Sequence, residues 1–395
     1  MTATRPPSAV FAACAALASV SVAALPYVTL RANRAATGAG VTLPTAAPAW
    51  FAVLGLLVAV GAAGFALRLH KAARAIGAAA VALLVPAGML SLGMVADNVA
   101  GGAVGPARVS IGIGFWAFTA SAYGMAVSNA PALGGRASTF LRAAAAAMAL
   151  ALAIFLAAGS LDGLSILVEY ANRRQTFLVE AARHLAYAAL STAAAFAVGV
   201  PLGYAASRSR AWERPAFVLA NVAQAMPTLS LLGLLIVPLS MLAARFPALG
   251  ALGIRGVGWA PAAIVLFLYA LLPVMANAHA GFRMVEPPVR DAARGMGMGR
   301  GSSFIRVELP LAMPAILGGV RTALAQNMGN AVLAGLIGGG GLGSLMFLGL
   351  AQAAPDLVML GVLPVVASAL AADRLMAAAE RMVRRRAGVE ATIHD

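Results

Sequence analysis

The strongest constraint in this sequence is a series of about ten apolar segments, each long enough to cross a lipid bilayer. A transmembrane helix needs about 20 apolar residues. The segments are 8–30, 49–67, 75–95, 109–128, 143–159, 184–205, 216–243, 259–280, 311–333 and 356–376. Only 10% of the residues are charged, whereas a soluble domain carries about 25%. So few charges cannot cover a water-soluble surface, and we expect an all-α polytopic membrane protein with about ten transmembrane helices.

The distribution of basic residues predicts the orientation of the chain, because cytoplasmic loops of membrane proteins collect Lys and Arg. With the amino terminus placed inside, 19 of the 28 Lys and Arg residues fall on the cytoplasmic side, eight fall outside and Arg321 lies within a span. We therefore expect both termini in the cytoplasm and a first segment that is a retained span. The formal charge of +15 follows from this topology and not from nucleic-acid binding, which would need a basic face on a soluble domain.

Two connections between the apolar segments predict the domain organisation. Residues 161–182 are amphipathic and are expected to lie on the extracytoplasmic membrane surface. They separate extra amino-terminal transmembrane helices, 1–160, from a carboxy-terminal core of five helices, 183–386, and residues 387–395 would form a cytoplasmic tail. Residues 281–310 are the longest polar stretch between spans on the predicted cytoplasmic side, and such a loop is expected to contact a cytoplasmic component.

This cytoplasmic loop carries a spaced pattern of Asp-Ala-Ala, glycine and Val-x-Leu-Pro. Its residues are Asp291, Ala292, Ala293, Gly297, Val307, Leu309 and Pro310. The pattern resembles the coupling loop of ABC importer permeases, in which Glu-Ala-Ala is followed by glycine and by Ile-x-Leu-Pro. Asp291 keeps the charge of the Glu in the family pattern, and Val307 keeps the branched apolar shape of the Ile. The resemblance implies that the loop docks on a separate cytoplasmic ATPase, which moves it on binding ATP; from the residues alone, a solvated basic loop is the alternative.

The residue types in the loop suit such a contact. A short helix around Asp291 can project from the membrane as a knob, and the small Ala292 and Ala293 would let it sit deep in a groove of a partner. Gly297 allows a sharp bend without a Cβ clash. Pro310 can begin the next helix, where its missing N–H costs nothing.

Three further segments narrow the resemblance: 220–233, 263–273 and 334–343. Together they look like the branch of this family that imports glycine betaine, choline, carnitine and related osmoprotectants, and the extra amino-terminal helices resemble its variant with an enlarged permease subunit. The resemblance implies a bacterial inner-membrane location, a second permease subunit of the same or a related chain, and an extracytoplasmic substrate-binding protein. An amino acid such as methionine is the alternative cargo, and an ion-coupled secondary transporter, with charged or unwound sites in the membrane, is the alternative class.

Two interruptions of the apolar pattern are candidates for a pathway or gate. Pro227 removes one helical hydrogen bond from a span and bends it. The resulting break either lines the translocation pathway or only sets how the helix packs. The glycine run at 338–343 formally matches the GxGxxG dinucleotide-binding fingerprint, but that motif needs a preceding strand in a βαβ unit. We instead expect a flexible break or re-entrant turn near the outer mouth of the pathway. A loop that is merely flexible, with no role in gating, is an equally open alternative. The candidate residues are Gln224, Met226, Pro227, Gly338, Gly341 and Gly343.

Other chemistry is missing from the sequence. There is no GxxxxGK[ST] loop and the only lysine is Lys71, so the chain is not expected to be an enzyme or to bind a cofactor, and ATP would be bound by the partner ATPase. One cysteine and four scattered histidines predict no metal site. No aromatic cage for a quaternary ammonium is evident. Arg321 has no apparent acidic partner, and we expect its side chain to reach the cytoplasmic interface, with a gating contact as the alternative.

Overall fold

The computed structural model describes residues 9–33, 36–66, 71–102 and 107–386. The predicted tail 387–395 lies outside these residues. Within them the chain separates into two compact units. The first runs to Asn172 and includes 352–356, and the second contains 173–351 and the residues from Leu357 onward.

The first unit combines helices with a small sheet. Its helices are α1 (Ala9–Ala23), α2 (Leu43–Ala46), α3 (Pro48–Ala66), α4 (Lys71–Gly101), α5 (Ile113–Asn129), α6 (Ala137–Ala157) and α7 (Ser165–Asn172), with a 3-10 turn at Ala130–Arg136. Its strands are β1 (Pro26–Arg31), β2 (Ala39–Thr42) and β3 (Arg108–Ile111), in the antiparallel order β2-β1-β3. Helices α3 and α4 cross closely at two glycines, where a Cβ added to Gly64 would lie 2.6 Å from the Cα of Gly77.

The sheet corrects the predicted limits of two spans, 8–30 and 109–128, because Pro26–Arg31 and Arg108–Ile111 are strands. The segment 8–30 was expected to be one span, but α1 ends at Ala23 and the chain turns into β1. Pro26 explains this end, because proline has no N–H to donate and disfavours helical backbone in the residue before it. Tyr27 is fully buried there, its hydroxyl lies 2.8 Å from Ser91 Oγ, and burial raises the pKa of its phenol.

The second unit consists of helices joined by turns and short loops, with no strand among its described residues. Its helices are α8 (Arg174–Arg208), α9 (Arg210–Ala225), α10 (Thr228–Arg245), α11 (Pro247–Ala251), α12 (Trp259–Met284), α13 (Pro287–Gly295), α14 (Arg300–Ser303), α15 (Leu309–Asn330), α16 (Leu342–Ala351) and α17 (Pro355–Arg386, from Leu357 in this unit). A π turn at Phe304–Glu308 precedes α15 and a 3-10 turn at Ala331–Ile337 follows it. Because α8 begins at Arg174, the second half of the predicted surface segment 161–182 continues directly into a long apolar helix.

The core of the second unit lies between α8, α12 and α15, and small residues bring these helices together. A Cβ added at Gly203 of α8 would lie 2.7 Å from Met275 O, and one at Gly319 of α15 would lie 2.6 Å from Pro273 O. Close backbone approach through glycine is typical of helix packing in membranes, where dispersion contacts drive association.

Eight helical stretches among the described residues are long and apolar enough to span a membrane, and α1 and α16 are shorter apolar helices. The eight are Pro48–Ala66, Ala72–Gly101, Ala137–Ala157, Arg174–Arg208, Thr228–Arg245, Trp259–Met284, Arg300–Ile337 and Pro355–Arg385. The prediction of a multi-pass helical membrane protein is confirmed. The count of ten spans and the cytoplasmic position of both termini stay predictions.

Candidate functional site

The predicted coupling loop forms a short exposed helix, α13. Two prolines occupy its first turn, where a missing N–H is tolerated. Asp291 and Arg294 form an ion pair of 3.4 Å with both side chains about 70% exposed. Ala292 is exposed, whereas Ala293 is 1% exposed and its carbonyl accepts a hydrogen bond of 3.1 Å from Met298 N–H. Ala293 thus packs within this chain, and of the two alanines Ala292 is the one exposed to solvent; their contact with a partner stays a prediction.

Gly297 ends this helix in a left-handed conformation. Its φ is +78°, and its N–H donates to Arg294 O at 2.9 Å. No heavy atom lies within 4 Å of the position that a Cβ would take. The need for glycine therefore comes from the backbone angle and not from a lack of space.

The end of the loop is fastened to α8 by an ion pair. Glu308 is 5% exposed and pairs with Arg208, whose guanidinium lies 5.1 Å from the centre of the Tyr204 ring. The rings of Tyr204, Phe282 and Phe304 are in mutual contact, with centroids 4.7 to 5.7 Å apart. Val307 lies in the π turn, Leu309 packs against the same core and Pro310 is in the first turn of α15. These contacts join the loop to α8 and α12.

A cavity of about 320 Å³ lies among the end of α8, α13 and α14. Four arginines line it: Arg208, Arg290, Arg294 and Arg300. Glu308 is the acidic residue in its lining. In the described part of the chain, Arg290 and Arg300 have no ion-pair partner, so this side of the loop carries excess positive charge.

The helix break predicted at Pro227 is present. Helix α9 ends at Ala225 and α10 begins at Thr228, with Met226 and Pro227 in extended backbone between them. The Tyr269 hydroxyl donates to Met226 O, and Gln224 Nε2 lies 3.5 Å from Tyr269 O. The break is thus held against α12 in a defined conformation.

The predicted glycine-rich break is a turn whose backbone is hydrogen-bonded to side chains of α8. Gly338, Gly340 and Gly341 have φ of +72°, +81° and +85°. The N–H of Gly341 donates to Glu180 Oε2 at 2.5 Å, and the hydroxyl of Tyr187 donates to Gly339 O. A Cβ at the third candidate, Gly343, would overlap the carbonyl oxygen of Val332. The turn is therefore fixed to α8 by two side chains that the sequence argument did not select.

The two candidate gate elements are also joined to each other. Leu231, Leu232 and Val265 form a buried cluster. Met226 and Ile337 pack against it. Ile337 immediately precedes the glycine turn, and its carbonyl accepts from Gly258 N–H at 2.8 Å. The structure therefore brings Gln224, Met226 and Pro227 into one assembly with the turn that contains Gly338 and Gly341.

Arg321 has acidic partners that the sequence argument missed. Its guanidinium contacts both carboxylate oxygens of Asp373 at 2.6 and 3.1 Å and lies 3.8 Å from Glu380. The expectation that Arg321 has no acidic partner was wrong, and its reach to the cytoplasmic interface stays a prediction. Asp373 and Glu380 lie 52 and 59 positions further along the chain than Arg321. They are seven residues, or about two helical turns, apart on α17, and this spacing places them on one face of the helix.

These features define the class of the protein: a multi-pass helical membrane protein whose short exposed helix α13 is joined to its core. Two family models match the chain. The binding-protein-dependent transport system inner membrane component covers residues 195–385, and the ABC transporter permease YehY N-terminal domain covers residues 6–167.

Curated relatives agree with the family models over the carboxy-terminal half. The glycine betaine/carnitine/choline transport system permease protein OpuCB of Bacillus subtilis is 33% identical over 52% of this chain and 88% of the relative. The osmoprotectant import permease protein OsmW of Salmonella typhimurium is 34% identical over 49% and 85%. The choline transport system permease protein OpuBB of B. subtilis is 34% identical over 50% and 84%.

The chain belongs to the family of permease subunits of ABC importers and is a multi-pass inner-membrane protein. Membership implies, in general, an ATPase and a substrate-binding protein as partners. This assignment replaces the ion-coupled alternative. A solved methionine ABC transporter, MetNI in inward-facing conformations, is 20% identical over 52% of this chain and 97% of that chain, with a TM-score of 0.43; a similarity at that level says nothing about cargo.

Proposed function

We propose that this chain is the membrane subunit through which an ATP-driven importer moves a small osmoprotectant, such as glycine betaine, carnitine or choline, across the inner membrane. The observation that carries the proposal is the match to osmoprotectant permeases over 84 to 88% of their own length. The resemblance of the 220–233, 263–273 and 334–343 segments supports the same cargo class.

In this proposal α13 is the contact for a separate ATPase. Asp291 and Ala292 lie on its exposed surface, and Gly297 sets the angle at which it leaves the membrane region. The arginine-lined cavity beside α13 fits a partner with an acidic surface, because guanidinium groups form charge-assisted, often bidentate bonds to carboxylates. ATP would bind to that partner, and this chain would need no cofactor of its own.

Movement of α13 would reach the membrane core through its root. The buried Glu308 and its partner Arg208 join the loop to α8, and the Tyr204, Phe282 and Phe304 rings join it to α12. A displacement of the loop would therefore move α8 and α12 together, since packed side chains transmit strain with little compression.

The remaining assembly follows from the class. Two permease subunits would pair around a pathway, the helix break at Met226 and Pro227 and the glycine turn would form its gate, and a cargo-loaded binding protein would dock outside. Residues 1–160 would brace or regulate the transport core 183–386, with 161–182 between them and the tail 387–395 in the cytoplasm.

The coupling role is tested at Ala292. The wild-type chain is purified from its native membrane in mild detergent, and the co-purifying ATPase is identified and quantified. Ala292→Glu places a charged side chain on the exposed face of α13 without touching the core, so we expect at least a tenfold loss of bound ATPase and of ATP-dependent uptake. Ala211→Glu is the matched control, because Ala211 is exposed in the first turn of α9, on the same predicted side.

The two variants together separate docking from folding. Both should keep the melting temperature of the wild type, because both positions are exposed. If Ala292→Glu retained the ATPase as fully as Ala211→Glu, α13 would not be the docking element.

A further inference from the structure

A second cavity, of about 670 Å³, opens beside the glycine turn in the second unit. Helix α8, the 253–259 segment and the start of α12 form its walls. The side chains that matter for its chemistry are Arg183, Tyr187, Ser191, Arg255, Trp259 and Phe267. Neither the coupling contact nor the gate described above uses the two arginines or Trp259.

The charge of this cavity is positive. Its lining contains Arg183 and Arg255 and no acidic residue. Arg183 is compensated by Glu180 at 2.9 Å. Arg255 donates from Nε to Gly250 O at 2.9 Å, and in the described part of the chain it has no carboxylate within ion-pair distance. The guanidinium of Arg255 is therefore a positive charge without a carboxylate partner among the described residues, and its terminal nitrogens are available as donors. Such a group attracts a carboxylate and repels a simple cation.

Three aromatic side chains contribute the remaining wall. The polar atoms of two of them are already bonded: Trp259 Nε1 donates to Leu252 O at 3.2 Å, and Tyr187 donates to Gly339 O. These bonds fix the polar atoms of two of the rings, and all three aromatic side chains line the cavity. Aromatic faces attract quaternary ammonium groups, with Trp the strongest.

We propose that this cavity is a transient cargo site and that it selects a zwitterion, with a carboxylate held by Arg255 and a quaternary ammonium held against Trp259. Glycine betaine and carnitine carry both groups, whereas choline lacks the carboxylate. The inference rests on the proposed function and deepens it. Arg255 is thereby a specificity-determining residue, acting in the permease in addition to any selection by the binding protein.

The test is uptake by the complete importer in proteoliposomes, with glycine betaine, carnitine and choline compared at saturating binding protein. Wild type is expected to transport the two carboxylate-bearing cargoes faster than choline. Arg255→Gln should lower uptake of glycine betaine and carnitine about tenfold, as expected for the loss of one hydrogen-bonded charge, and should leave choline unchanged or faster. Arg245→Gln is the control, because Arg245 ends α10 against Phe246 and does not line the cavity.

Arg255→Lys serves as the conservative variant, and it should restore part of the preference for carboxylate-bearing cargo. It also replaces Arg255→Gln if the latter fails to assemble. If Arg255→Gln lowered uptake of all three cargoes equally, or lowered uptake of none of them, the inference would be overturned and the proposed function would stay intact. Transport of none of the three by the wild type would overturn the proposed function and the inference with it.

Discussion

Ala292 and Ala293 show how neighbouring residues of one motif differ in what surrounds them. The spaced pattern treats them alike, but one is exposed and the other is 1% exposed. A substitution at Ala293 would therefore disturb packing within this chain before it disturbed any partner, since a core this close-packed responds to a single added methylene. Only Ala292 reports on docking alone.

Gly297 carries a prediction at the same scale. An L residue at φ +78° costs about 1–2 kcal/mol, so Gly297→Ala should shift the loop away from its docking conformation and raise the dissociation constant for the ATPase about five- to thirtyfold. Gly299→Ala is the matched control, because Gly299 has a φ of −65° and equally open surroundings. Titration of each purified permease variant with the ATPase measures its dissociation constant. Equal dissociation constants for Gly297→Ala and Gly299→Ala would show that the turn at Gly297 does not determine the conformation of the loop.

At the scale of elements, the ion pair between α8 and the root of α15 holds the loop to the core. Glu308 is nearly buried and Arg208 is about a third exposed. Breaking a fully buried pair costs about 3–5 kcal/mol, and solvent screening at Arg208 reduces this. We therefore expect Arg208→Gln to destabilise the second unit by about 1–3 kcal/mol.

Arg294→Gln removes the same charge from the same cavity but breaks only an exposed pair with Asp291, so its melting temperature should match that of the wild type. Thermal unfolding in detergent compares the two variants. A melting temperature for Arg208→Gln as high as that for Arg294→Gln would mean that this pair does not fasten the loop.

At the scale of the whole molecule, the sequence predicts what is local and misses what is distant. Long apolar helices are recognisable because length and hydropathy are properties of one segment, and the coupling loop because its residues are spaced along one stretch. The bond from Glu180 to Gly341 joins positions 161 apart, and the sheet pairs β1 with a strand about 80 positions away. Patterns within a short stretch of sequence cannot predict such distant pairs. They also cannot predict that Arg183 and Arg255 line the same cavity.

The central claim is that α13 lies in the cytoplasm, where an ATPase can reach it. The direct measurement uses a Cys14→Ser background with one cysteine introduced at Asp291 or, as the opposite marker, at Leu252, both of which are exposed. Intact cells are treated with a membrane-impermeant maleimide before and after permeabilisation. The account predicts labelling of Leu252→Cys in intact cells and of Asp291→Cys only after permeabilisation; labelling of Asp291→Cys in intact cells would contradict it.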